Sequence, residues 1–495
     1  MTTTTWIKNS DWVVAYDPDT ASHKYMKNAD VVFEDDLIVF TGRNYAGDAD
    51  RTIDGRDVMV LPGTLDLHLH AYMEMHGKGF FEDLASKQMS MTQLFEYTWL
   101  LQDDRESAIA STEASVCDLL KSGCTTMAEL YCDQPVSGLN TKHAEKAYDG
   151  WVEMLGKTGI RTYVCPMVQS GHWYTPDGKQ HLYKWYEKEG LRHLDIALET
   201  IDHAMSHSSG RLHGMVGAAQ ADTCTEELFH QCKAAAEKRD IPLQTHASQS
   251  VMEHREMMRR HGKTPIEWLQ SIGILGPNTL LGHAINIDQH PWINHHEHND
   301  LKYLAETETT VVHCPRAFAQ WGDMMHSLGG YRAAGVNMAL GTDCYPHDMV
   351  EEMRIAGLLS KVASGHVDLL STQDVFHVAT LGAAKALGRD DLGRISVGAK
   401  ADIALVDLKH PSMRPVRDPL KCLIYSGTAA AVRDVYVNGE LMVKDRKVLS
   451  IDQDDALDRL QEGQNRALKR VPEMDWAHRS ADQISPFCLP VEAEY

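Results

Sequence analysis

The chain has 495 residues, 43% of them hydrophobic and 24% charged, the balance of a soluble globular protein with room for more than one domain. Its 48 Lys and Arg against 70 Asp and Glu leave a formal charge of −22, which argues against nucleic acid or an anionic membrane surface as a partner. No apolar run is long enough to span a bilayer, the N-terminus lacks the basic-then-apolar order of a signal peptide, and the ten cysteines form no C-x-x-C pair, so a cytoplasmic protein with reduced thiols is expected.

The first 60 or so residues alternate like short strands with turns between them: "WVVAYD", "ADVVFEDDLIVFTG", "DVMVLPG". Beyond them, short apolar segments alternate with longer amphipathic ones, the rhythm of a parallel α/β fold. Eight strands are expected, at 63–70, 123–130, 161–168, 212–219, 241–247, 278–284, 309–315 and 336–343. Helical patterns such as "QLFEYTWLL", "EELFHQCKAAAEKR" and "TPIEWLQSIG" fill the gaps. Eight strands each followed by a helix predict an α/β fold of (β/α)8 TIM-type barrel architecture. After about residue 395 strand texture returns in "ADIALVDL" and "AAVRDVYVNGELMVKDRKVL". The expected organisation is residues 1–61 and 395–450 as two parts of a small composite β-sandwich, 62–394 as the barrel, and 451–495 as an exposed helix with a polar tail.

The strand ends carry the chemistry. In a barrel of this type, reacting groups come from the C-terminal ends of different strands. Strand one ends in His68 and His70, which alternation places on one face. Strand five ends in His246, strand six in His283, strand seven in His313 and strand eight in Asp343. Any one of these could be an ordinary buried or edge histidine; five imidazoles and a carboxylate at one mouth point to a divalent metal. Zinc and iron(II) both accept neutral nitrogen and carboxylate oxygen. A metal there lowers the pKa of a bound water towards ~7. Asp343 is the candidate proton shuttle as well as a metal contact, and His283 the candidate partner for the attacking oxygen.

The segments "PGTLDLHLH", "THASQSVMEHREMMRRHGKTPIEWL", "LLGHAINID", "VVHCPRAF" and "ALGTDC" resemble the amidohydrolase superfamily, in its mononuclear-metal branch of cytosine, guanine and adenosylhomocysteine deaminases, s-triazine hydrolases, and phenylurea and thiocarbamate hydrolases. "HVATLGAAKALGRDDLGRISVGAKADIALVDL" is similar to that family's passage from barrel to β-sandwich. The resemblance covers roughly residues 1–450. It implies His68, His70, His246 and Asp343 as ligands of one divalent metal, zinc before iron, with His283 as a catalyst beside it. Two-metal members carry a carboxylated lysine at the end of strand four; "LHGMVGAAQAD" offers none.

Two departures bear on the substrate. Where deaminases and triazine hydrolases of this branch carry a glutamate three residues after the strand-five histidine, this chain has Gln249, and an amide does not shuttle protons. That favours hydrolysis of a carbonyl-linked C–N bond in a small, largely apolar urea, carbamate or amide. The alternatives are deamination or dechlorination of an aminated N-heterocycle, with another group such as Glu129 or His313 supplying the proton, and an inactive barrel with a binding role. The second departure is "HCPRAFAQWG", where Arg316, Phe318 and Trp321 alter the usual loop. The loop aromatics, with Met73, Met75, Tyr131 and Trp173, form an apolar substrate wall, or these side chains simply pack the loops together. His347 and Asp348 either reach the mouth or cap the helix that follows. A small-molecule substrate and a closed homo-oligomer complete the expectation.

Overall fold

A computed structural model describes residues 2–84, 100–101, 105–131, 150–177 and 180–492. The helical pattern expected at 93–101 falls, but for its last two residues, outside them.

The eight expected strands form one parallel sheet, in order along the chain. They run Thr64–Leu69, Cys124–Tyr131, Arg161–Val168, Leu212–Gly214 continued by Val216–Gln220, Leu243–Ala247, Thr279–His283, Thr310–His313 and Asn337–Leu340. Strand eight returns to strand one through a parallel bridge between Asp343 and Leu69. Two bonds close the seam: the Asp343 N–H donates to the His68 carbonyl at 2.7 Å, and the His70 N–H to the Asp343 carbonyl at 3.1 Å. The barrel interior is filled by Leu65, Leu67, Leu130, Met167, Met215, Leu280 and Val312, as bulky apolar side chains fill a closed barrel of this size.

Helices pack outside. Glu226–Arg239 matches its expected span, starting at Thr225, whose side chain accepts from the Leu228 N–H. Asp348 caps helix Met349–Ser364, accepting from the Val350 and Glu351 N–H groups at 2.9 and 3.2 Å.

The composite β-domain differs from a sandwich of two separate sheets. Its strands hydrogen-bond as one nine-stranded sheet. At its centre Val58–Pro62, from the N-terminal part, pairs antiparallel with Ile403–Asp407, from the C-terminal part. The sheet rolls onto itself: the Ile38 N–H, on the Leu37–Gly42 strand, donates to the Ala399 carbonyl at 2.8 Å, enclosing Ile7, Val31, Phe33, Ile38, Val60 and Leu405. A buried ion pair ties it to the barrel, with Arg161 at the start of strand three donating twice to the Asp402 carboxylate at 3.1 Å.

The C-terminal helix, Gln453–Met474, is not free as expected. Ala456, Leu460, Gly463, Ala467 and Val471 recur every three or four residues and are buried. Leu460, Ala467 and Val471 join a cluster with Met75, Phe80 and Phe81, from the segment after strand one. No described helix is long and apolar enough to cross a membrane.

Candidate metal centre

Strand one pairs with strand two until its register shifts between Asp66 and Leu69. The shift leaves Leu65 and Leu67 in the barrel core while His68 and His70 turn towards the mouth. Asp66 pins the distortion, its carboxylate accepting from the His68 and Thr342 N–H groups at 3.1 Å and from the Thr342 hydroxyl at 2.6 Å.

Three imidazoles meet above it. The ligand-capable nitrogens of His68, His70 and His246 lie within 4.8 Å of one another, and His70 Nε2 and His246 Nε2 are 3.3 Å apart. Each ring is held from behind through Nδ1: His68 by Gln244 Oε1 at 2.6 Å, His70 by the Leu130 carbonyl at 2.8 Å, His246 by the Ala219 carbonyl at 2.5 Å. All three partners are acceptors, so every Nδ1 carries the proton and every Nε2 presents a lone pair. Asp343 Oδ1 stands 3.5 Å from His68 Nε2 and 3.6 Å from His70 Nε2. His68 Nε2 is buried without a hydrogen-bond partner. Lone pairs facing one another in a dry site repel; a divalent cation among them removes the conflict, and three nitrogens with one carboxylate oxygen suit it. Burial keeps His70 and His246 neutral, His70 pushed down to about 4 and His246 well below its ordinary value. Burial works against the Asp343 carboxylate, but His283, His68 and His70 outweigh it and hold it far below the usual carboxylate range.

A second donor set shares His68, with His283 and Cys314. Burial, with Asp343 nearby, pushes the Cys314 thiol well above its ordinary value, so it stands protonated and is the poorer ligand.

Two residues here have left-handed backbones, His283 with φ +78° and Asp343 with φ +62°. Such conformations cost about 1–3 kcal/mol each and gather at functional sites. His283 is fully buried with both ring nitrogens unpartnered, its ring 4.6 Å from those of His68 and Phe318. His313 is buried, pushed down to about 3 by that burial, with Nδ1 unpartnered. Gln249 lies in the turn past His246. Its N–H donates to Glu253 at 2.7 Å and its carbonyl accepts from Asn286 Nδ2 at 3.2 Å, while its side-chain oxygen is buried without a partner.

The remaining candidates have these partners. Glu129 spends both carboxylate oxygens on the chain after His70, accepting from the Ala71 N–H at 2.9 Å and the Tyr72 N–H at 3.2 Å. Trp173 sits on a hairpin (Gly171–Tyr174 with Leu182–Trp185) and donates to Asp222 Oδ2 at 2.8 Å. Met75 is buried under the C-terminal helix, and Tyr131 stacks between Tyr72 and Trp151. Met73 is half-buried against the main core. His347 bonds Thr342 Oγ1 at 2.7 Å, and Arg316 reaches Gln320 and the Tyr345 carbonyl. Phe318 and Trp321 lie edge to face at 5.5 Å, with Phe318 against His283. Sequence reasoning missed Gln244, since a glutamine inside a strand carries no signal that it holds an imidazole from behind.

The family model described as "Amidohydrolase family" matches residues 59–442. A 5'-deoxyadenosine deaminase of Methanosarcina acetivorans is 28% identical over 465 residues, which cover 91% of this chain and 95% of that protein. A 5-methylthioadenosine/S-adenosylhomocysteine deaminase of Halobacterium salinarum is 29% identical, covering 86% and 91%. Among solved structures, an adenosine deaminase from Xanthomonas campestris with bound zinc superposes with a TM-score of 0.78 at 20% identity, covering 94% and 98%; this is a likeness of fold. So is that to an atrazine chlorohydrolase from Arthrobacter aurescens complexed with zinc, with a TM-score of 0.77 at 20% identity, covering 93% and 100%.

Proposed function

The chain belongs to the amidohydrolase family and is a hydrolase of non-peptide C–N bonds, and on that premise we propose that it cleaves a C–N bond of a small N-heterocycle with the help of one zinc ion. The observation that carries this is the convergence of three Nε2 lone pairs and the Asp343 carboxylate, with each Nδ1 fixed by an acceptor. His68, His70, His246 and Asp343 would hold the metal. The zinc named in the two solved relatives, and a donor set of nitrogen and oxygen, favour that ion. When bound, it supplies Lewis acidity and makes water acidic enough to serve as nucleophile near neutral pH.

The chain's own groups do the rest. Asp343, whose carboxyl lies far below the usual carboxylate range, accepts the proton of the attacking water and returns it to the departing nitrogen. His283, neutral and unpartnered, donates a hydrogen bond from one ring nitrogen to the oxygen that adds to the carbon. Phe318 lies against His283 with Trp321 packed on it, apolar rings suited to a planar substrate.

The deaminase relatives support a heterocyclic substrate. Gln249 supports a second reading, a carbonyl-linked bond in a urea, carbamate or amide. An amide donates a hydrogen bond but no proton, and a carbonyl carbon accepts water without prior protonation of a ring nitrogen. Mass spectrometry of products formed in 18O-water, over a panel of aminated purines, pyrimidines and triazines and of aryl ureas, carbamates and amides, decides between them. Label on a ring that has lost ammonia or a substituent supports the heterocycle; label in a released carbonyl fragment beside free amine overturns it in favour of the second reading. Metal analysis of purified enzyme is expected to find about one ion per chain, and His70→Ala to lose both ion and turnover. Full activity in His70→Ala would end the proposal.

A further inference from the structure

The rear contacts of the three imidazoles differ in kind. His70 and His246 are held by main-chain carbonyls, whereas His68 is held by a side chain, Gln244 Oε1, at 2.6 Å. The orientation of that amide is forced. Gln244 Nε2 donates to the Leu67 carbonyl and to the Met215 sulfur, both at 3.1 Å, and neither can donate. A flipped amide would set oxygen against oxygen at Leu67 and nitrogen against the His68 N–H. Gln244 Oε1 is therefore an acceptor, His68 Nδ1 its donor, and His68 Nε2 a free lone pair. Met215 reaches this position because strand four is interrupted there, between Leu212–Gly214 and Val216–Gln220. Gln244, His68 and Met215 are all fully buried, so water does not compete for these bonds.

We propose that Gln244 is a positioning residue that sets the tautomer and donor strength of His68, and so tunes how tightly and how electrophilically the metal is held. This rests on the reading of His68 as a metal ligand. A neutral amide accepts the Nδ1 proton more weakly than a carboxylate, the commoner side-chain partner behind metal-bound histidines. It leaves the ring a weaker donor and the ion a stronger Lewis acid. The lock favours turnover at some expense of affinity.

The test uses the full-length enzyme, stripped of metal and titrated with Zn2+ against a chelating indicator, with folding followed by circular dichroism. Gln244→Met, which keeps the volume and loses the acceptor, is expected to weaken zinc binding about 10–100-fold, the usual cost of losing such a partner. Gln244→Glu is expected to bind zinc more tightly than the parent while lowering kcat more than it changes KM. A merely structural role predicts weaker binding in both, so the opposite directions are the signature. Zinc affinity within twofold of the parent in folded Gln244→Met, or weaker binding in folded Gln244→Glu, overturns the inference. If Gln244→Met does not fold, the sign of the Gln244→Glu effect decides alone. A parent chain that binds no zinc would overturn the metal reading itself, which separates the two failures.

Discussion

Gly282 and His68 make the most direct test of how the centre is built. Gly282 lies in strand six beside His246, and a methyl group placed on it would stand 2.5 Å from His68 Cε1 and 2.9 Å from its Nδ1. An ordinary carbon contact begins near 3.4 Å, so in Gly282→Ala the ring must retreat by roughly 0.9 Å. The main chain of His68 is fixed on the other side by its close approach to Gly341, where a methyl would stand 2.7 Å from the His68 carbonyl oxygen, so the ring has to move alone. Retreat breaks the 2.6 Å bond to Gln244 and swings Nε2 away from Asp343. Overpacking of this size costs about 1–3 kcal/mol of stability, which a domain of this burial survives, while a ~1 Å misplacement at a reacting centre costs on the order of 100-fold in rate. The expected result is a folded protein with zinc content well below that of the parent and turnover reduced about 100-fold. Thermal unfolding with and without added zinc measures both halves, because a ligand that binds only the folded state raises Tm by an amount set by its Kd. A Gly282→Ala protein that keeps one tightly held ion and the parent's zinc-dependent rise in Tm would refute the account of His68.

Three further outcomes are expected. Trp321→Ala should raise KM most for substrates with aryl or alkyl substituents if Trp321, packed on the Phe318 ring that lies against His283, belongs to the substrate wall; an equal loss across the whole panel would remove it from that wall. Glu129→Gln should cost about 1–3 kcal/mol in chemical denaturation, because its amide nitrogen would face either the Ala71 or the Tyr72 N–H; parent stability would show that these bonds do not hold the chain after His70. His23, pushed down to about 3 by burial and by His377 and Arg394, should make the protein lose stability as pH falls from about 6.5 towards 3. The unfolded chain takes up a proton there that the folded chain refuses. His23→Gln, which can still donate to Thr380 as His23 Nε2 does at 2.9 Å, should lose less stability between pH 7 and pH 5, and an unchanged loss would exclude His23 as a source.

The strand ends were the legible part of this molecule. An apolar run that stops at a histidine states both a strand and its mouth, and all eight strands lie within a few residues of where alternation and turns put them. The eighth is short because Asp343 lies past it, in a left-handed turn that no pattern of apolar residues encodes. Strand four reads as continuous, and only the structure shows its break at Met215, whose sulfur accepts from Gln244. The partners of Trp173 and Glu129 were not legible, because Asp222 is distant in sequence and the N–H groups of Ala71 and Tyr72 belong to the main chain. The C-terminal helix has an apolar stripe in its sequence, but what the stripe covers depends on where the segment after His70 travels.

The pairing of Val58–Pro62 with Ile403–Asp407 has a consequence for synthesis. The strand that leads straight into His68 and His70 keeps one edge bare until some 340 further residues have left the ribosome. The Asp402 carbonyl that receives the Gly63 N–H, and the carboxylate that neutralises Arg161, arrive at the same late moment. An open apolar β-edge is a template for wrong partners. The nascent chain therefore passes most of its elongation with the strand that precedes His68 and His70 only half secured, and it ceases to be adhesive only when Ile403–Asp407 arrives.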